Sequence, residues 1–138
     1  MEVEWPAGKD QLSAIRTAVF IQEQQVPPAL EWDGLDTEAR HLLALDLSGK
    51  AVGCARILDN GSIGRMAVLP DWRGRGIGTA LLQEAIRLCR LNGWQPVRLS
   101  AQTHAIPFYA KAGFTVCSDE YPDAGIPHRD MQLSNAPL

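Results

Sequence analysis

The stretch Val68-Leu69-Pro70-Asp71-Trp72-Arg73-Gly74-Arg75-Gly76-Ile77-Gly78-Thr79-Ala80 decides how this chain is read. It joins an apolar, strand-like run to an amphipathic, helix-like run through glycines at alternate positions, Gly74, Gly76 and Gly78. With no Cβ in the way, such a turn bends tightly and brings the backbone close to a ligand. The free N–H groups of the helix start then point outward together, and the helix dipole adds positive potential. Phosphate or pyrophosphate is the natural guest. Arg73 and Arg75 add charge-assisted bonds from the flank. The competing reading is a plain strand-to-helix turn with two solvated arginines.

Two nucleotide motifs fail on spacing. A P-loop requires Lys and then Ser or Thr after its last glycine, and no Lys follows these glycines. A dinucleotide fingerprint counted from Gly74 places Thr79 in its final glycine position, and counted from Gly76 it places Leu81 there. The acidic residue that should follow on the next strand is also missing from Val97 to Ala101.

Working outward, residues 9–24 carry Leu12, Ile15 and Val19 at helical spacing, with Asp10 as a candidate cap and Pro27-Pro28 as a stop. Residues 26–39 read as an acidic loop or short helix. Strands are predicted near His41–Leu47, Ala51–Leu58 and Ser62–Leu69, separated by Ser48-Gly49-Lys50 and Asp59-Asn60-Gly61 as turns. A helix over Gly78–Asn92 follows, with Leu81, Leu82, Ala85, Leu88 and Cys89 as its buried stripe and Gly93 as its C-terminal cap. Pro96–Ala101 reads as a strand and Ala105–Ala112 as a short helix; Phe114–Cys117 and Arg129–Leu133 read as strands. The expected architecture is a single α/β (mixed α+β) domain over residues 1–138. Its central mixed, mostly antiparallel sheet has six or seven strands, flanked by about four helices.

A formal charge of -3 argues against broad binding to nucleic acid or an anionic membrane, although Arg65, Arg73, Arg75, Arg87 and Arg90 outnumber the acids between residues 65 and 90. Cys54, Cys89 and Cys117 are an odd, widely spaced set, which suggests free thiols in a reducing compartment. The first ten residues lack the basic patch and apolar run of a signal peptide, and no apolar stretch matches a bilayer. A cytoplasmic location is the expectation. His41, His104 and His128 form no pair at ligand spacing, so no metal is expected. No Gly-x-Ser-x-Gly elbow supports a hydrolase.

One pattern does fit the turn: Arg-x-x-Gly-x-Gly, here Arg73, Gly76 and Gly78, preceded by Met66-Ala67-Val68-Leu69-Pro70-Asp71-Trp72. With it, the chain resembles the GNAT superfamily of N-acetyltransferases. A second block, Gln102-Thr103-His104-Ala105-Ile106-Pro107-Phe108-Tyr109-Ala110-Lys111-Ala112-Gly113-Phe114, is similar to the family form Asn-x-x-Ala-x-x-Phe-Tyr-x-x-x-Gly-Phe, with Gln102 in place of Asn. The ends, including Val19 to Gln24, the acidic loop with Trp32, Asp33 and Asp36, and Gly125-Ile126-Pro127-His128, resemble a group of small bacterial members with poorly defined acceptors.

The resemblance implies an acetyl-CoA-dependent transferase that passes the acetyl group directly to the amine of a small molecule or peptide. It implies that Arg73, Gly74, Arg75, Gly76, Ile77, Gly78 and Thr79 hold the CoA pyrophosphate, chiefly by main-chain N–H groups. Met66, Ala67 and Val68 would bind the pantetheine arm at the end of a splayed strand, where a main-chain N–H polarises the carbonyl. Tyr109 would be the general acid that protonates the leaving thiolate. Without the family pattern, Phe108 and Tyr109 read more readily as core aromatics on a short helix. Glu23, Glu31, Asp33, Asp36, His41 and His128 are all candidates by type for the base. Acidic residues from the 23–36 segment, if they line the acceptor cleft, would favour a cationic amine. The resemblance also allows a homodimer. The alternative function is a non-catalytic acyl-CoA-binding sensor or subunit.

Overall fold

The computed structural model describes residues 1–134. Its elements are β1 (Glu2–Val3), α1 (Trp5–Arg16), α2 (Pro28–Glu31), β2 (Arg40–Leu45), β3 (Ala51–Ile57) and β4 (Ser62–Val68). There follow α3 (Ile77–Asn92), β5 (Arg98–Gln102), α4 (Ile106–Ala110), β6 (Phe114–Val116), β7 (Tyr121–Asp123) and β8 (Ile126–Leu133). All eight strands belong to one sheet, in the order β1-β2-β3-β4-β5-β8-β6, with β7 also paired to β8. The mostly antiparallel mixed sheet expected from the sequence is present. The short strands β1 and β7 are additions, too brief to give a period-two signal.

Side-chain alternation sorts the strands onto two cores. Leu42, Ala55, Ile57, Ile63, Leu99 and Met131 pack with Leu81, Leu82, Ala85, Leu88 and Cys89, the stripe predicted for α3. On the opposite face Leu43, Cys54 and Ala67 meet Leu12, Ile15 and Val19 of the first helix. Leu42 and Leu43 are neighbours in β2 yet serve different cores, as a strand's pleat requires.

The first helix differs from its prediction at both ends. It starts at Trp5, with Pro6 in its first turn, so Asp10 lies inside rather than at the cap. Proline suits that turn because its missing N–H has no helical acceptor there. Beyond Arg16 the coil widens over Thr17–Glu23, where the Gln24 amide donates to Val19 O at 3.0 Å, five residues back. Such wide turns are uncommon and recur at functional sites.

Only β4 and β5 run parallel, as a strand–helix–strand unit through α3 allows. Their pairing covers just Ser62 with Arg98 and Ile63 with Leu99. Past that point the strands part. A bulge lies in β4, where Arg65 and Met66 together oppose Ala55 of β3, and Arg65 takes a φ of 45°.

Candidate active site

The parting of β4 from β5 opens a cleft of about 1030 Å³. One edge of β4 is hydrogen-bonded to β3, while its other edge, from Gly64 to Val68, has no strand beside it. Met66, Ala67 and Val68 line the cleft along that edge. Phe20, Glu23 and Gln24 reach it from the widened end of the first helix, and Asp123, Ile126 and His128 from the β7–β8 hairpin.

The glycine-rich turn forms one end of the cleft. Gly76, at φ 82°, ends the turn and begins α3, and Gly74 has a φ of 76°. A Cβ at either would meet no atom within 4 Å, so the backbone faces open space. Ala80 donates to Gly76 O at 3.0 Å, the first helical bond; the amides before it have no carbonyl one turn back. Arg73, Gly74, Gly76, Ile77, Gly78 and Thr79 all line the cleft. The chemistry of this set, clustered amide donors and a guanidinium in an open cradle, fits a pyrophosphate. Arg75 is not part of the lining; its guanidinium lies over the Trp72 ring, 4.7 Å from the centroid. Arg73 is held by Glu23 at 2.6 and 2.8 Å and donates through Nε to Val68 O at 3.0 Å. That contact lowers the Glu23 pKa, through the hydrogen bond first, and raises that of Arg73.

Tyr109 lines the same cleft from α4. Its ring makes edge contacts with Phe108 and Phe114, with centroids 5.1 and 6.2 Å away. Burial pushes its phenol above the ordinary value of 10.0, so the hydroxyl keeps its proton at neutral pH. Gln102 donates through Nε2 to Gln24 Oε1 at 2.8 Å, tying the end of β5 to the first helix.

The structure separates the candidate bases. Arg16 donates to Glu31 Oε2 at 2.8 Å and Asp36 Oδ1 at 2.6 Å, and all three side chains are buried. Arg56 donates to both oxygens of Asp33 at 2.8 Å and to Asp36 at 3.2 Å. Arg65 reaches Asp33 at 3.1 Å and the Glu31 carbonyl at 3.0 Å. Its Nε lies 3.0 Å from Glu31 Oε2, an ion pair without hydrogen-bond alignment. Three guanidiniums thus face three carboxylates, and the charges of Glu31, Asp33 and Asp36 are neutralised by these ion pairs. Glu31 and Asp33 line the cleft but bring no unpaired negative charge to a cationic amine. His41 is buried against Trp5, donates through Nε2 to Asp36 O at 2.9 Å, and has its pKa lowered chiefly by burial. It is no part of the cleft lining. His128 is.

Sequence reasoning missed the arginines of this network. Their partners lie 15 to 34 residues away, beyond any local pattern. It also missed a chain in which the Tyr121 hydroxyl bridges Ser100 Oγ and Asp130 Oδ1 beside the cleft.

Residues 8–135 match the family model of the acetyltransferase (GNAT) domain. The chain is similar to the uncharacterized N-acetyltransferase YjcF of Bacillus subtilis (strain 168). They are 38% identical over 121 residues, covering 85% of this chain and 86% of the relative. Among solved structures it resembles an acyl-CoA N-acyltransferase from Pseudomonas aeruginosa, with 33% identity and a TM-score of 0.82, covering 91% and 89% of the two chains. It also resembles Escherichia coli ElaA, at 30% identity and a TM-score of 0.87, covering 97% and 98%.

Proposed function

This chain belongs to the GNAT acetyltransferase family, and from that premise we propose that it moves an acetyl group from acetyl-CoA directly to the amine of a small molecule or peptide. The observation that carries the reading is the parted strand pair: one cleft holds an open β4 edge, a glycine cradle and the Tyr109 side chain. Arg73 and the amides of Gly74 to Thr79 hold the pyrophosphate, once Arg73 exchanges its bonds to Glu23 for phosphate oxygens. Met66 to Val68 carry the pantetheine arm as a further strand would, which sets the thioester deeper in the cleft. A main-chain N–H of that edge polarises the carbonyl and stabilises the developing oxyanion. Tyr109 gives its proton to the departing thiolate sulfur. A phenol raised by burial is suited to this, since it is fully protonated at working pH.

Calorimetric titration with acetyl-CoA, with free CoA, ATP and NADH as comparators, tests the reading. Selective binding of acetyl-CoA is expected. It is followed by thiol release with a panel of spermidine, glucosamine, kanamycin and a glycyl peptide. Binding of ATP or NADH in place of acetyl-CoA overturns the cofactor assignment. Acetyl-CoA binding with no thiol release from any acceptor favours the non-catalytic sensor instead.

A further inference from the structure

We propose that His128 is the general base of this transfer, accepting the acceptor's proton at Nε2; the inference rests on the acetyl-transfer reading above. His128 lies near the start of β8, opposite Gln102 of β5 on one side and Tyr121 of β7 on the other. It is only 9% exposed, and the surface it retains lines the cleft shared with Tyr109 and Met66.

The tautomer follows from one bond. Nδ1 lies 2.7 Å from the carbonyl oxygen of Ile126. A carbonyl oxygen only accepts, so in the neutral ring the proton sits on Nδ1 and the lone pair on Nε2. No side chain or backbone group among the described residues bonds Nε2, and it is not one of the occluded, unpartnered buried atoms. Nε2 therefore keeps accessible surface, on a residue that lines the cleft. Tyr121 stacks on the ring at 6.1 Å and 21°, and its hydroxyl is fixed by Ser100 and Asp130, so the imidazole is clamped in place.

The other titratable groups that face the cleft come from β7, from the first helix and from the segment after β5. On β7, Tyr121 is bonded to Asp130, and Asp123 lines the cleft from the hairpin; across the cleft, Glu23 is paired with Arg73 until the pyrophosphate takes that guanidinium. His104 and Tyr109 line the cleft from the segment after β5, and no ion pair involves His128 among the described residues. His41, the other buried histidine, has its Nε2 proton committed to Asp36 O. Of the two histidines among the six candidates by type, His128 alone offers an unprotonated nitrogen to the cleft without breaking an existing contact.

The transfer then balances. Nε2 takes one proton from the acceptor ammonium, giving a neutral amine and an imidazolium. The amine lone pair forms the N–C bond to the thioester carbonyl, and the C–S bond breaks as the oxyanion collapses. The sulfur takes the Tyr109 proton, and the second nitrogen proton returns through water to the phenolate. Imidazolium releases its proton to solvent, so the net yield is amide, free CoA thiol and one proton.

The test uses His128→Asn, whose side-chain amide still donates to Ile126 O, and His128→Gln as a second replacement. Both should bind acetyl-CoA within threefold of the unmodified protein, which reports an intact fold and cofactor site. With whichever of spermidine, glucosamine, kanamycin or the glycyl peptide the unmodified protein acetylates, kcat should fall about 10²- to 10⁴-fold, the usual share of a general base. The unmodified protein should show kcat/KM rising to a plateau with pH, whereas the variants should keep climbing as free amine accumulates. Nitrogen NMR of ¹⁵N-histidine protein should show His128 protonated at Nδ1. An Nε2-protonated ring, a kcat within threefold for both variants, or a retained plateau would each overturn the assignment. Those results leave the transferase reading standing; absence of acetyl-CoA binding to the unmodified protein removes both.

Discussion

At Tyr109 a single oxygen separates a packing role from a chemical one. Phenylalanine there would keep the edge contacts to Phe108 and Phe114 and delete only the proton that the proposed transfer passes to the thiolate. Tyr109→Phe should therefore lower kcat by about 10²-fold, within the usual range for a positioned acid, while acetyl-CoA affinity stays within threefold. Steady-state thiol release and calorimetry on the same preparation check this, and unchanged turnover would return the residue to the core. Cysteine provides a second test at this scale. Cys54 and Cys89 are buried and Cys117 is exposed. Burial pushes the Cys54 thiol up to about 12, where thiolate is negligible at neutral pH. Iodoacetamide on the native protein should label Cys117 alone, with Cys54 and Cys89 reacting only in denaturant, as peptide mass mapping would reveal. What the sequence made readable at single residues followed from local context. Arg73 and Tyr109 stand inside short patterns, whereas Arg75 was paired with Arg73 by proximity and turns instead onto Trp72. Nothing local distinguished His41 from His128; one fills the core and the other faces the cleft because of strands far apart in the chain.

Among the elements, α3 was the most legible and the acidic loop the least. A helix buries a stripe set by its own period, so Leu81, Leu82, Ala85, Leu88 and Cys89 announce the buried face without reference to the rest of the chain. The loop around α2 is organised by Arg16 from the first helix and by Arg56 and Arg65 from β3 and β4. Period and composition carry no record of such partners. The β4 bulge is part of this arrangement, because the positive φ at Arg65 accompanies a side chain turned to Glu31 and Asp33. Arg16 also lies between Trp5 and Trp32, with its guanidinium 5.7 and 4.9 Å from their ring centroids. Arg16→Leu would leave Glu31 and Asp36 buried with part of their compensation gone. The expected loss is about 3–5 kcal/mol, the range for breaking one side of a buried pair. Urea unfolding followed by tryptophan fluorescence measures it; a loss below about 1 kcal/mol, the range of exposed pairs, would mean the loop does not depend on this contact.

For the molecule as a whole, one histidine in the core and one carboxylate at the cleft wall set the response to acid. His41 is kept neutral mainly by burial, so its folded pKa lies below 6.5. Its contribution to stability is complete above that unfolded value and is lost as pH falls through the lowered folded value. At Asp33, burial works against ionisation, yet the Arg56 hydrogen bonds, the Leu35 amide and the charges of Arg56 and Arg65 prevail and hold its pKa at about 2, against 3.8 ordinarily. Its contribution is likewise present above 3.8 and lost on descent toward 2. Both groups have the same sign and act in successive windows, which predicts a melting temperature that falls in two stages on acidification. Calorimetric scans between pH 8 and pH 3 should show a first decline below about 6.5, where an unfolded histidine begins to take up its proton, and a steeper one below about 4. His41→Gln, whose amide can still donate to Asp36 O, should remove the first decline and leave the second. A single transition near pH 4 in the unmodified protein would show that the buried imidazole is not held neutral, and the first helix and the acidic loop would then need another source of acid sensitivity.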